Sequence, residues 1–375
     1  MKGCFIVTSY DESLQFKSGV TLRNRLMMSP MTTTQSFYNG SITRDEIDYY
    51  TQRAAGLGAV ITGAANVGDL GKGWHGELSI AHDSMLPGLS ALAKGIQSQG
   101  AKAIVQIFHA GRMTHREVLN GEQIVSASAV AALRDDAETP RAMTIDEIHA
   151  TIDAFGEATR RAIQAGFDGI ELHGANTYLI QQFFSPHSNR RTDEYGGKTP
   201  QERYRFIDEL LQSVFKAVDK YADRPFIVGY RFSPEEFEEP GIRFEDTLWL
   251  LSQLRDSRLD YVHVSLNNYD RVARDKNHAD KPLIAYVHDA LQGKLPLVGV
   301  GGVRTRADVQ AMLQDAELVA VGQQLLYDPT WAVKLAKNAD DAMVTAPFEE
   351  AVEVTPLNRP LYEFAAARYH SVINS

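Results

Sequence analysis

Cysteine is almost missing from this chain of 375 residues: Cys4 is the single one. One thiol excludes an internal disulfide framework, a four-cysteine zinc site and a cysteine-held iron–sulfur cluster. No metal is expected, and the inside of a cell is the expected location. Long apolar runs are lacking too. No stretch approaches the roughly 18 residues that a spanning helix needs, and the first residues have no apolar signal core, so neither export nor membrane embedding is expected. Basic clusters are absent, and a formal net charge of −10 repels a phosphate backbone, which argues against nucleic acid as a partner. Neither a GxGxxG fingerprint nor a Walker A motif occurs, and no linker rich in Gly, Ser or Pro divides the chain.

What is present is the composition of a globular protein, 44% hydrophobic and 23% charged, enough for a large core. Short β-branched apolar runs recur at Leu26 to Ser29, Ala59 to Thr62, Ala103 to Ile107, Gly169 to Leu172, Phe226 to Tyr230, Tyr261 to Val264, Leu297 to Val300 and Leu318 to Val321. Helical spacing lies between them, as at Thr144 to Ala165, where Ile148, Ile152 and Phe155 repeat every three or four residues. Thr144 with Glu147, and Thr199 with Pro200 and Glu202, read as helix starts, the second opening a helix to Tyr221. Runs without polar alternation, separated by helices, imply parallel strands covered on both faces. The expected fold is a (β/α)8 barrel, one domain over 1–375 with inserted loops and a C-terminal extension from about 347. A doubly wound open sheet is the rival, weakened by the missing dinucleotide signature.

Barrel chemistry sits at the C-terminal strand ends. There the chain offers Met31, Thr32, Ala64, Gln106, His173, Arg231, Ser265, Gly301, Gly302, Gly322 and Gln323. Gly301 and Gly302 after the seventh strand suit a phosphate held by backbone N–H groups, although a tight strand-to-helix turn would use the same residues. Gln106 and Arg231 fit a solvated rim equally well. His173 and Asn176, three apart, can offer two donors to one carbonyl oxygen, and Tyr178 adds a phenol. Glu171 is expected to point away from His173.

Several strings resemble the Old Yellow Enzyme family, shorter bacterial form: Asn24-Arg-Leu-Met-Met-Ser-Pro-Met, Val105-Gln-Ile-Phe-His-Ala-Gly-Arg, the His173 to Pro186 stretch, and Ser188-Asn-Arg-Arg-Thr-Asp-Glu-Tyr-Gly-Gly, with Val300-Gly-Gly-Val and Val321-Gly. The resemblance covers nearly the whole chain and implies an FMN-dependent ene-reductase. In it, NADH or NADPH gives hydride to flavin N5, and the β-carbon of an activated alkene (an enone, enal or nitroalkene) then takes it. It implies that Pro30, Met31 and Thr32 border the flavin, Ala64 packs nearby, Gln106 bonds the pyrimidine portion and Arg231 faces the N1 and O2 edge. Gly301, Gly302 and Gly322, beside Gln323, would take the phosphate. His173 and Asn176 would bind the substrate oxygen, and Tyr178 would protonate the α-carbon.

The chain departs from commoner family members in four places. Thr32 stands where many bacterial relatives carry cysteine, Thr34 where they have a substrate-facing tyrosine, and Gln323 where arginine is usual, which predicts weaker FMN binding. Asn176 replaces a second histidine. Two other readings stay open: a flavin-free barrel isomerase or aldolase acting on a phosphorylated substrate, and a flavin-binding paralogue without turnover. Oligomeric state, a homo-oligomer included, is open as well.

Overall fold

The computed structural model describes residues 9–344 and 357–373; Cys4 and the start of the expected extension lie outside them. Eight strands form the central ring: β1 (Leu26–Met28), β2 (Ala59–Asn66), β3 (Lys102–Phe108), β4 (Gly169–Gly174), β5 (Ile227–Phe232), β6 (Tyr261–Val264), β7 (Leu297–Val300) and β8 (Leu318–Val321). Each pairs in parallel with the next in sequence, and β8 pairs back onto β1, closing the barrel. The absence of polar alternation has its cause here: apart from Lys102, every strand residue is buried. The open sheet is thereby excluded.

Side chains of alternate strand residues fill the interior. Met27, Ala59, Ile61, Ile104, Ile227, Val298, Leu318 and Ala320 form one apolar cluster with Phe16, Val20 and Leu22. The last three belong to a hairpin, Leu14–Gln15 against Thr21–Leu22, that plugs the N-terminal end. The barrel is therefore solid below, and chemistry is confined to the upper rim.

The outer ring comprises α1 (Arg44–Ala54), α2 (Leu86–Gln97), α3 (Ile145–Gln164), α4 (Leu179–Phe184), α5 (Arg205–Tyr221), α6 (Phe244–Leu254), α7 (Leu283–Leu291), α8 (Arg306–Met312), α9 (Gln323–Tyr327), α10 (Trp331–Ala336) and α11 (Arg359–Ile373). Both expected caps form: Thr144 with Glu147 starts α3, and Thr199 with Glu202 starts the turn Pro200–Arg203. The helix expected over Pro200 to Tyr221 is broken at Tyr204, which caps that turn and hands the chain to α5.

Four strands, β2 to β5, run past their expected ends. β2 runs on to Asn66, with a register irregularity between Ile61 and Ala64, so Ala64 lies inside the strand. Gln106, His173 and Arg231 likewise sit within the last residues of β3, β4 and β5, where strand pairing fixes their direction. No described helix is long and apolar enough to cross a membrane.

Candidate active site

A cavity of about 520 Å³ opens at the C-terminal strand ends, a size ordinary for a small-ligand site. Every site residue expected from the sequence lines it: Pro30, Met31, Thr32, Ala64, Gln106, His173, Asn176, Tyr178, Arg231, Gly301, Gly302, Gly322 and Gln323. A larger groove of about 810 Å³ crosses the outer face between α5 and α6, among exposed groups such as the ion-paired Asp219 and Arg258, far from the strand ends. Thr34 is not on the cavity wall; its hydroxyl donates to the Thr33 carbonyl at 2.8 Å.

At one end the wall is made of side chains. His173 is 4% exposed, and burial, helped by Arg231 and His263, holds its pKa well below the usual imidazole range, so the ring is neutral. Its Nδ1 accepts from the Ala175 N–H at 3.4 Å, which leaves the proton on Nε2. After β4 the chain takes two left-handed residues, Asn176 (φ 55°) and Thr177 (φ 63°), before Tyr178 caps α4. Asparagine tolerates that conformation better than most residues. The Asn176 N–H donates to Ser233 Oγ at 2.8 Å, and its Oδ1 accepts from Ser265 at 2.9 Å, leaving the amide NH2 for the cavity. Tyr178 packs edge-on to His173 at 4.8 Å and to Phe108 at 5.0 Å.

Beneath this end lies a buried polar floor. Glu171 accepts from Gln106 Nε2 at 2.7 Å and from Tyr261 at 3.0 Å, and its Oε2 lies 3.0 Å from His263 Nδ1. Burial opposes the Glu171 charge, but His263, Arg231 and Gln106 outweigh it and hold the carboxyl below its usual range. Burial pushes the His263 pKa down, against the pull of Glu171. The expectation that Glu171 points away from His173 is wrong: residues two apart on a strand share a face, and both turn inward.

The other end is made of backbone. Gly301 (φ 130°) and Gly302 (φ 69°) need a conformation that side chains rarely adopt, and a Cβ on Gly301 would fall 2.9 Å from the Asn268 backbone. A Cβ on Gly322 would crowd Met31 Sδ at 3.1 Å. Gln324 is committed to the Val344 carbonyl at 2.8 Å. Arg304 lines this end, and among the described residues no acid pairs with its guanidinium.

Sequence reasoning missed Trp74, Met113, His115, Arg134, Arg304 and Phe364 on the wall. His115 and Arg134 come from the long segment after β3, lie 2.9 Å apart and both pair with Asp136. Which residues of that segment face inward depends on its folding. Phe364 arrives from α11, whose Leu361 and Ala365 are anchored in the core.

The donor set suits FMN. Gln106 is 1% exposed and spends its NH2 on Glu171, so its carbonyl oxygen is the group left to face the cavity. Arg231 supplies a cation beside it, and the glycine end offers backbone room and Arg304 for a phosphate.

Residues 12–342 match the model of the "NADH:flavin oxidoreductase / NADH oxidase family". The chain is 46% identical over 327 residues to the "NADH:acrylate oxidoreductase" of Vibrio harveyi, covering 86% of this chain and 32% of that protein. It is 40% identical to the "NADH:fumarate oxidoreductase" of Klebsiella pneumoniae, covering 96% and 39%. It thus spans between about a third and two fifths of these two relatives. A probable NADH-dependent flavin oxidoreductase of Bacillus subtilis is 40% identical, with 94% of both chains covered. Among solved structures, morphinone reductase in complex with tetrahydroNAD superposes with a TM-score of 0.73 at 25% identity, covering 88% of this chain and 91% of that one. An old yellow enzyme homologue from Zymomonas mobilis shares the fold, with a TM-score of 0.74 at 24% identity over 88% and 93%. The chain belongs to the NADH:flavin oxidoreductase / NADH oxidase family, the FMN-dependent barrels of the Old Yellow Enzyme type.

Proposed function

We propose that this chain is an NAD(P)H-dependent ene-reductase for electron-poor alkenes. One observation carries the reading: neutral His173, the Asn176 amide and the Tyr178 phenol converge on the same cavity as the flavin-type donor set. FMN, when bound, supplies the hydride transfer from NADH or NADPH to the β-carbon of the alkene. Pro30, Met31, Thr32, Ala64, Gln106 and Arg231 hold its ring. Gly301, Gly302, Gly322 and Gln323 hold its phosphate, with Arg304 supplying the cation that position 323 lacks.

His173 and Asn176 bind the substrate's carbonyl or nitro oxygen, each stabilising the charge that builds there by about 3 kcal/mol. A neutral imidazole with its proton on Nε2 donates without being consumed as an acid. Tyr178 gives the proton of its phenol to the α-carbon. The membership in an FMN family leaves the flavin-free isomerase without support.

A second reading is favoured by coverage. The relatives named for acrylate and fumarate are much longer than this chain, so their alkene-reducing centre can lie in the part it does not match. This chain would then oxidise the nicotinamide and pass electrons to a different acceptor. Anaerobic stopped-flow mixing with NADH or NADPH, then with a panel of enones, separates the two. Reoxidation of the reduced flavin by enones supports the ene-reductase; reduction that no enone reverses supports the second reading.

A further inference from the structure

We propose that Glu171 is a positioning residue: its carboxylate decides which end of the Gln106 amide faces the cavity. The proposal rests on the reading of this cavity as an FMN site. Gln106 on β3 and Glu171 on β4 are register partners, so their inward side chains meet without any loop between them. An ionised carboxylate accepts hydrogen bonds and donates none, so Gln106 must turn its NH2 toward it, at 2.7 Å. The amide oxygen is then the face shown to the ligand. An amide is nearly symmetric in shape, and without the carboxylate either end could point upward.

The carboxylate is itself held in place. Tyr261 donates to it at 3.0 Å and His263 lies 3.0 Å from the same oxygen, and Glu171, Tyr261 and His263 are all 0% exposed. Tyr261 reaches across because its neighbour in the sheet is Gly229: a Cβ there would fall 2.1 Å from the tyrosine ring. Arg231, the register neighbour of both His173 and His263, contributes the balancing charge. A buried charge with this many partners is a poor device for stability alone, since apolar residues of similar volume often serve as well or better. Its use lies in direction. An acceptor aimed at the cavity selects a ligand edge that carries an N–H, as the imide of a flavin does.

The test is a swap. FMN dissociation constants are measured by quenching of flavin fluorescence on titration of apoprotein, and midpoint potentials are measured on the reconstituted proteins. Glu171→Gln should weaken FMN about tenfold or more and shift the potential. Gln106→Glu, facing a second carboxylate, should also bind poorly. The double variant Gln106→Glu/Glu171→Gln restores a donor at 171 and an acceptor at 106, and should recover affinity to within a few-fold of the parent. A double variant no better than Gln106→Glu alone would overturn the proposal, and this comparison survives even if Glu171→Gln does not fold. If the parent apoprotein itself fails to bind FMN, the reading of the cavity falls with it. If the parent binds and Glu171→Gln matches it in affinity and potential, Glu171 alone loses its role.

Discussion

The two ends of the cavity are built by opposite means. At the Tyr178 end, side chains are fixed by other side chains: Glu171 holds Gln106, Ser265 bonds Asn176, and Phe108 packs on Tyr178. At the Gly301 end, missing side chains make the shape and leave backbone lining the cavity. The first design tunes chemistry, because every partner adjusts charge or direction. The second design sets affinity, because an anion needs room and a cation but little else. Substitutions at His173, Asn176 and Tyr178, as opposed to the glycine end, should therefore separate turnover from cofactor binding.

The largest expected effect is at the side-chain end. Tyr178→Phe should slow alkene reduction by about 10² to 10⁴-fold while flavin reduction by nicotinamide persists, as the two half-reactions followed separately will show. Equal loss in both would remove Tyr178 from its assigned step. Replacing His173 and Asn176 together by Ala should weaken phenol or enone binding about 10²-fold in a spectral titration, with FMN retained. Unchanged affinity would place the substrate oxygen elsewhere.

At the backbone end, Arg304→Ala should weaken FMN binding about tenfold and flatten its salt dependence, with little change in turnover of the saturated enzyme. Gln323→Arg should partly restore what Arg304→Ala removes. If Arg304→Ala binds FMN as the parent does, the phosphate takes its cation from another residue.

The smallest effect concerns pH. His173 and His263 are depressed by burial in the folded state, so the unfolded chain takes up their protons first as pH falls. Their contribution to stability is complete above the ordinary imidazole pKa of about 6.5 and is lost as pH drops through the folded values. The melting temperature should decline below that point, and His173→Asn should lessen the slope. An unaltered slope would mean that other groups set the acid limit.

The same contrast explains what could be read from sequence. All eight strands were legible because strands covered on both faces leave continuous apolar runs, and Gly301 and Gly302 were legible because glycine pairs are conspicuous. The far end of β2 was not, since Gly63 and Ala64 carry no strand signal and Gly63 is there to let the Met31 carbonyl approach. Glu171 was misread by a parity error on a strand that was otherwise correctly placed. Arg134 and Phe364 were invisible for a different reason: they reach the cavity from a long loop and a distant helix, and local patterns say nothing about where those fold back.

That distant helix has a practical corollary. From Phe364 at the cavity wall, α11 continues for nine residues to Ile373, roughly 14 Å of helix. A tag or module joined beyond it is therefore one short helical arm away from the cavity wall.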